Sequence, residues 1–251
     1  MQTPKNYIPI ENCLANKIIL VTGAGDGIGR VAAKTFAAHG ATVILVGRTL
    51  AKLEMVYDEI EAAGHPQPAI YPINFQIATE QTFIDMSNAI HDEFNHLDGI
   101  LHNAADLGQS TPLANYAPDV WMRCMQVNVN APFMLTQAML PLLERATNAS
   151  ILFTGSSVGY KGRAYWGAYA ASKAAAENLM QTLADELDET TKIRVNSINP
   201  GATRTKMRAA AYPGEDPTTV KKPEDLMRDY LYLIGDESVG ITGKQFESSF
   251  K

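Results

Sequence analysis

The chain of 251 residues has little cysteine, no long hydrophobic run, no excess of positive charge and no repeated segment. Its two cysteines, Cys13 and Cys124, stand far apart without metal-ligand spacing, which argues against a disulfide framework and gives a zinc site little support. Such usage fits a reducing compartment. No apolar stretch approaches the roughly twenty residues that span a bilayer, so we expect a cytoplasmic protein with no membrane partner. The formal net charge of −6 argues against nucleic acid or an anionic membrane surface as a partner. The basic cluster from Arg204 to Arg208 is too short to reverse that balance.

What the sequence does hold is an ordinary apolar fraction of 46%, arranged in alternation. Short β-branched runs at Ile18–Val21, Thr42–Val46, Ile70–Phe75, Gly99–His102, Ile151–Thr154 and Ile193–Ile198 are separated by amphipathic segments. Those segments cover Ile28–His39, Leu50–Ala63, Gln81–Phe94, Val120–Arg145 and Tyr165–Leu187. Strands that are apolar throughout and alternate with helices predict an α/β, doubly wound parallel sheet of the Rossmann type, buried on both faces. No linker divides the chain, so a single domain over residues 1–251 is expected. The one long irregular stretch, Thr203 to Pro223, carries Pro213, Gly214 and Pro217 and is expected to be a substrate loop.

After the first strand the chain reads Thr22-Gly23-Ala24-Gly25-Asp26-Gly27-Ile28-Gly29. Glycines there let the backbone approach a pyrophosphate and present helix amides to its charge. The end of the second strand selects the cofactor, because an acid there binds a ribose hydroxyl and a base favours a ribose phosphate. The sequence offers Val46-Gly47-Arg48-Thr49, with no carboxylate, so Arg48 favours NADP(H) over NAD(H). Asp26 works the other way, since a nearby carboxylate repels an added phosphate.

Tyr169 and Lys173 are four residues apart, which on a helix places them on one face, and Ser156 lies thirteen residues before the tyrosine. Hydride transfer to a carbonyl leaves an oxyanion that needs a proton and hydrogen-bond donors. Tyr169 is the candidate acid. A nearby Lys173 ammonium is expected to bring the tyrosine closer to working pH, and Ser156 to donate to the oxyanion.

These residues, together with His102-Asn103-Ala104-Ala105, Asn128 and Asn199-Pro200-Gly201 with Thr205, resemble the short-chain dehydrogenase/reductase family from Lys17 to about Phe246. Closer wording in Met125–Ala131 and Trp166–Lys173 is similar to the bacterial YciK-type oxidoreductases. The resemblance implies an oxidoreductase that interconverts a carbonyl and an alcohol on a small molecule, working as a homodimer or homotetramer. It implies that Asn128, Ser156, Tyr169 and Lys173 are catalytic, with Asn128 holding a water that links Lys173 to solvent. Lys173 would also hold the nicotinamide ribose. Cofactor contacts are implied for Gly23, Gly25, Asp26, Gly27, Ile28, Gly29, Arg48, Asn74, Asn103, Ala104, Tyr169, Lys173, Pro200, Gly201, Thr203 and Thr205. Of these, Asn74 would meet the adenine and Thr205 the carboxamide, while Asn103 is expected to bind backbone rather than substrate.

The sequence departs from the family's pattern at three places. Ala105 replaces a glycine, Asn74 stands where an aspartate is usual, and the carboxyl end lacks an Asp-Gly-Gly finish, which unsettles the family's usual tetramer. His102 is expected to be a satisfied buried histidine. Tyr160, Tyr165 and Trp166 either line a substrate pocket or serve packing and interfaces. Arg204, Lys206 and Arg208 either attract an acidic substrate or form a solvated basic face. A cofactor-binding regulatory protein without turnover is the competing class, and the intact Ser, Asn, Tyr and Lys set counts against it. An alkene reductase is disfavoured by the short tyrosine-to-lysine step.

Overall fold

All six expected strands form, and a seventh joins them. The structure, a computed structural model, describes residues 1–248; the expected domain range runs to Lys251, and residues 249–251 lie outside the described residues. The strands are β1 (Ile18–Thr22), β2 (Thr42–Gly47), β3 (Ala69–Pro72), β4 (Gly99–His102), β5 (Ser150–Thr154), β6 (Arg194–Asn199) and β7 (Gln245–Glu247). They make one seven-stranded sheet in the order β3-β2-β1-β4-β5-β6-β7, and every neighbouring pair is parallel.

Nine α-helices among the described residues connect or cover the strands: α1 (Gly27–Ala38), α2 (Leu50–Ala62), α3 (Glu80–Phe94), α4 (Pro118–Met125) and α5 (Ala131–Leu143), then α6 (Ser157–Tyr160), α7 (Gly167–Asp188), α8 (Lys206–Ala211) and α9 (Met227–Ile234). Strand residues alternate between two cores, as a two-residue period requires. From β1, Ile18 and Leu20 pack with Phe83 of α3, Met139 of α5 and Met180 of α7. Ile19 and Val21 point the other way, toward Phe36 of α1, Leu53 of α2 and Tyr230 of α9. Each such large side chain contributes about 1.5–3 kcal/mol by leaving water. A strand buried on both faces therefore has to be apolar, which is how β1 reads from Ile18 to Val21 before it ends on Thr22.

Strand order reverses at β1 and β4, which lie side by side while their chains depart toward opposite edges of the sheet. The crevice beyond their carboxyl ends is where ligands of such sheets bind. The glycine loop after β1 and the segment beginning at Asn103 after β4 both open there.

Three local departures from the expected elements have physical causes. The helix expected over Val120–Arg145 is interrupted by a π turn at Gln126–Asn130, where the Ala131 N–H reaches back to Gln126. Pro132 has no N–H to give the Asn128 carbonyl, so a regular α-helical bond is impossible at that step. The helix expected from Tyr165 begins at Gly167, because Tyr165 takes a left-handed φ of 72°. Finally, β7 adds an edge strand of three residues, held by Phe246, which is buried opposite Ile198.

Candidate active site

The carboxyl ends of the strands border a cleft of about 660 Å³, within the range of cofactor sites. Gly23, Gly25, Asp26, Gly27 and Ile28 line it as expected, whereas Gly29 does not. Gly29 sits behind the loop, where an added Cβ would stand 2.4 Å from the Gly23 carbonyl oxygen. Its role is to let α1 pack against the end of β1. Asp26 caps α1 by accepting from the Gly27 N–H at 2.9 Å. Its carboxylate also meets the Lys52 ammonium at 2.7 Å and that of Lys206 at 3.1 Å. The Lys52 hydrogen bond, chiefly, holds its carboxyl down to about 2. The repulsion expected from Asp26 is thus offset by two ammonium groups, one of them from the loop after β6.

Arg48, exposed at the end of β2, lines the same cleft and makes no ion pair among the described residues. Asn74 also lines it, after β3, and its side-chain oxygen accepts from the Gln76 N–H at 3.1 Å, leaving the amide hydrogens available. Asn103 donates to the Thr22 carbonyl at 3.3 Å, so it binds backbone as expected. The Thr22 hydroxyl accepts from the Asn103 and Ala104 N–H groups at 2.9 and 3.0 Å, tying β1 to β4 at the crevice. Across the cleft stand Pro200, Gly201, Thr203 and Thr205. Thr205 accepts from the Arg208 N–H at 3.1 Å and caps α8.

Ser156, at the end of β5, and Tyr169 and Lys173, on α7, share one wall of the cleft. The neighbouring Ser156 side chain favours the Tyr169 phenolate, against the effect of burial. Lys173 places its ammonium 5.7 Å from the Tyr169 ring centroid and donates to the Thr154 carbonyl at 2.7 Å. The expected lowering of the tyrosine by the lysine is not what this geometry yields. Burial dominates and pushes Tyr169 up to about 12, and burial likewise pulls Lys173 down to about 8.

Asn128 is buried beneath this wall and does not line the cleft. Its amide donates to the Asp106 carbonyl and to the Ser172 hydroxyl, both at 2.9 Å, and its oxygen accepts from the Asp106 N–H at 2.7 Å. With both amide hydrogens engaged, the side chain braces the loop after β4 against α7 instead of holding a water.

Glu177 was not singled out from the sequence, although it lies four residues beyond Lys173 on the same helix face. It is buried and accepts from Ser197 at 2.6 Å, Gln245 at 3.1 Å and Tyr160 at 3.2 Å. Its charge raises Lys173 against the effect of burial. Gly155 makes room for it, since a Cβ there would stand 2.2 Å from the carboxylate.

A model of the short chain dehydrogenase family matches residues 17–216, the segment that holds this cleft. The chain belongs to that family. It is 50% identical over 243 residues to the oxidoreductase YciK of Escherichia coli K12, covering 97% of this chain and 96% of that one. A short-chain dehydrogenase of Escherichia coli CFT073, solved with NADPH, superposes with a TM-score of 0.92 at 51% identity, covering 95% of this chain and 99% of the other. A further short-chain dehydrogenase, from Shigella flexneri 2a strain 301 and solved with NADP, matches with a TM-score of 0.92 at 50% identity, covering 94% and 99%.

Within this short-chain dehydrogenase, several residues that look catalytic are not at the cleft. His102 is buried under it, with Nε2 2.8 Å from the Thr136 hydroxyl, while Nδ1 has no partner. Burial and the nearby Lys173 charge lower it to about 3, so it is neutral at physiological pH. Tyr160 is turned away toward Glu177, whereas Trp166 lines the cleft beside Tyr169 with ring centroids 5.6 Å apart. Among the described residues, no group of three or more His, Cys, Asp or Glu side chains could hold a metal ion, and no helix is long and apolar enough to cross a membrane.

Proposed function

We propose that this chain is an NADP(H)-dependent oxidoreductase that interconverts a carbonyl and an alcohol, with Tyr169 as general acid and base. The observation that carries the reading is that Ser156, Tyr169 and Lys173 meet in the one cleft that the glycine loop also lines. The pyrophosphate would lie at the amino end of α1, whose amides and dipole favour an anion. Arg48 supplies a guanidinium that no carboxylate neutralises among the described residues, and the ammonium groups about Asp26 add positive charge. The relatives solved with NADP and NADPH support the same preference.

Bound there, NADPH supplies a hydride to the carbonyl carbon. Ser156 donates to the carbonyl oxygen as negative charge develops on it. Tyr169 holds its proton at neutral pH, the form needed for reduction, and gives it to that oxygen. Lys173 faces the ring of the tyrosine left as phenolate, and the Glu177 charge raises that lysine against the effect of burial. A water on the Asn128 carbonyl would return the proton from solvent. The segment from Thr203 to Pro223, which carries α8, would close over the substrate.

The test is NADPH consumption by the purified protein across a panel of ketones and aldehydes. Tyr169→Phe should remove turnover, about 10²–10⁴-fold, while binding NADPH as tightly as the parent. Near-parental rates in that variant would refute the mechanism, and NADPH binding without turnover on any compound would favour a regulatory protein.

A further inference from the structure

The cleft does not end at Tyr169. Beyond Trp166 it continues into a second hollow of about 400 Å³, and the two share Leu107, Trp166 and Ala211. Its walls are chiefly apolar and aromatic, formed by Trp166, Tyr165, Tyr212 and Ala164. Trp166 stands between the proposed acid and the far wall, 5.6 Å from the Tyr169 ring and 5.9 Å from the Tyr212 ring.

That far wall is built rather than loose. The Arg208 guanidinium lies 3.7 Å from the Tyr212 ring centroid, and Glu215 grips Arg208 with two hydrogen bonds of 2.6 Å. Tyr165 keeps the left-handed φ of 72° noted above, a conformation unfavourable for an aromatic residue and concentrated at ligand clamps and active sites.

The charges are distributed unevenly. Arg204, Lys206 and Arg208 were the cations offered by the sequence for an acidic substrate, and each is engaged elsewhere. Arg204 donates to the Thr218 and Val220 carbonyls at 3.2 Å, Lys206 pairs with Asp26, and Arg208 pairs with Glu215. The charged side chain lining the second hollow is Arg163, and no carboxylate lines it. Arg163 makes only a long contact of 3.5 Å to the Tyr212 hydroxyl and no ion pair among the described residues. Its guanidinium therefore remains open to an oxyanion, which it can hold through two parallel donors.

We propose that the substrate is an amphipathic anion: a carbonyl compound with a flat apolar body against Trp166 and Tyr212 and an anionic group at Arg163. This substrate class rests on the oxidoreductase reading given above. Arg163 is exposed, so solvent weakens the contact and the preference for the anion should be about twofold to fivefold, falling with salt.

The experiment compares para-acetylbenzoate with its methyl ester as substrates of the NADPH-loaded enzyme. The acid should have a KM about twofold to fivefold lower than the ester, and Arg163→Gln should bring that ratio to about one. Trp166→Leu should raise KM for both compounds, because both share the flat body. Equal KM values in the parent, or a ratio that survives Arg163→Gln, would overturn the proposal. If neither compound consumes NADPH, the oxidoreductase reading is judged separately, on the wider panel of ketones and aldehydes. The subsite is then read from tryptophan fluorescence of the NADP-loaded protein titrated with para-acetylbenzoate. Quenching that weakens several-fold in Arg163→Gln supports the anion site, and equal or absent quenching in parent and variant overturns it.

Discussion

Along α7, the stretch from Tyr169 to Glu177 and the stretch from Met180 to Leu187 lie in the buried part of one helix but bury different chemistry. The first half hides Tyr169, Ser172, Lys173 and Glu177; the second hides Met180, Ala184 and Leu187. Both follow the spacing of three and four residues that keeps a helix face turned inward. The second half joins the apolar core shared with α3, α5 and the sheet. The first half instead meets the ends of β5, β6 and β7, where Thr154, Ser197 and Gln245 supply partners for its charges. Helical periodicity alone does not distinguish an anchoring half from one that lines a cleft. The difference lies in what the opposing surface offers.

That contrast can be broken most sharply at Lys173. Lys173→Met should lower kcat about 10²–10⁴-fold, yet raise stability, because the folded state holds a charge away from water. The sign follows from the lowered lysine: the folded protein binds fewer protons between pH 8 and 10.5, so its charge penalty is full below that window and disappears above it. At pH 7 the gain should be about 1–2 kcal/mol by urea unfolding. A destabilised Lys173→Met protein would place the lysine among the anchors.

The mirror experiment is Met180→Ala. It should remove about 2–5 kcal/mol of stability by opening a cavity in the apolar core, and leave carbonyl reduction within about twofold of the parent at a temperature where both are folded. A large loss of rate at that temperature would show that the halves are coupled. The smallest effect is expected at His102, where β4 passes beneath the half that lines the cleft. Its lowered pKa of about 3 means that the unfolded chain binds the extra proton first, so stability falls as pH drops below 6.5. Between about pH 6.5 and 5 the parent should lose about 2 kcal/mol more than His102→Asn. Parallel stability curves for the two proteins would show that the histidine is not kept neutral.

Much of this arrangement was legible beforehand. The apolar runs marked six strands, the glycines marked the turn into α1, and the Tyr169 and Lys173 spacing marked the face of α7 that lines the cleft. β7 escaped because a strand of three residues with one buried side chain leaves no period to detect. The π turn escaped because an apolar pattern reads the same through it, although Pro132 was a signal. Asn128 was found as a residue but not as a brace, since its partners at Asp106 and Ser172 come from other elements. Glu177 could have been found from its four-residue step beyond Lys173.

The sequence by itself determined the element types, the parallel doubly wound sheet, the glycine loop and the face on which Tyr169 and Lys173 stand. These follow from backbone rise and the alternation of side chains, which are local. Only the tertiary structure decided the state of the charges: Asp26 held by Lys52 and Lys206, Tyr169 raised, Lys173 lowered and Arg163 left open beside the aromatic wall. A group's proton affinity depends on the water it has lost and on partners remote in the chain, and folding brings both about.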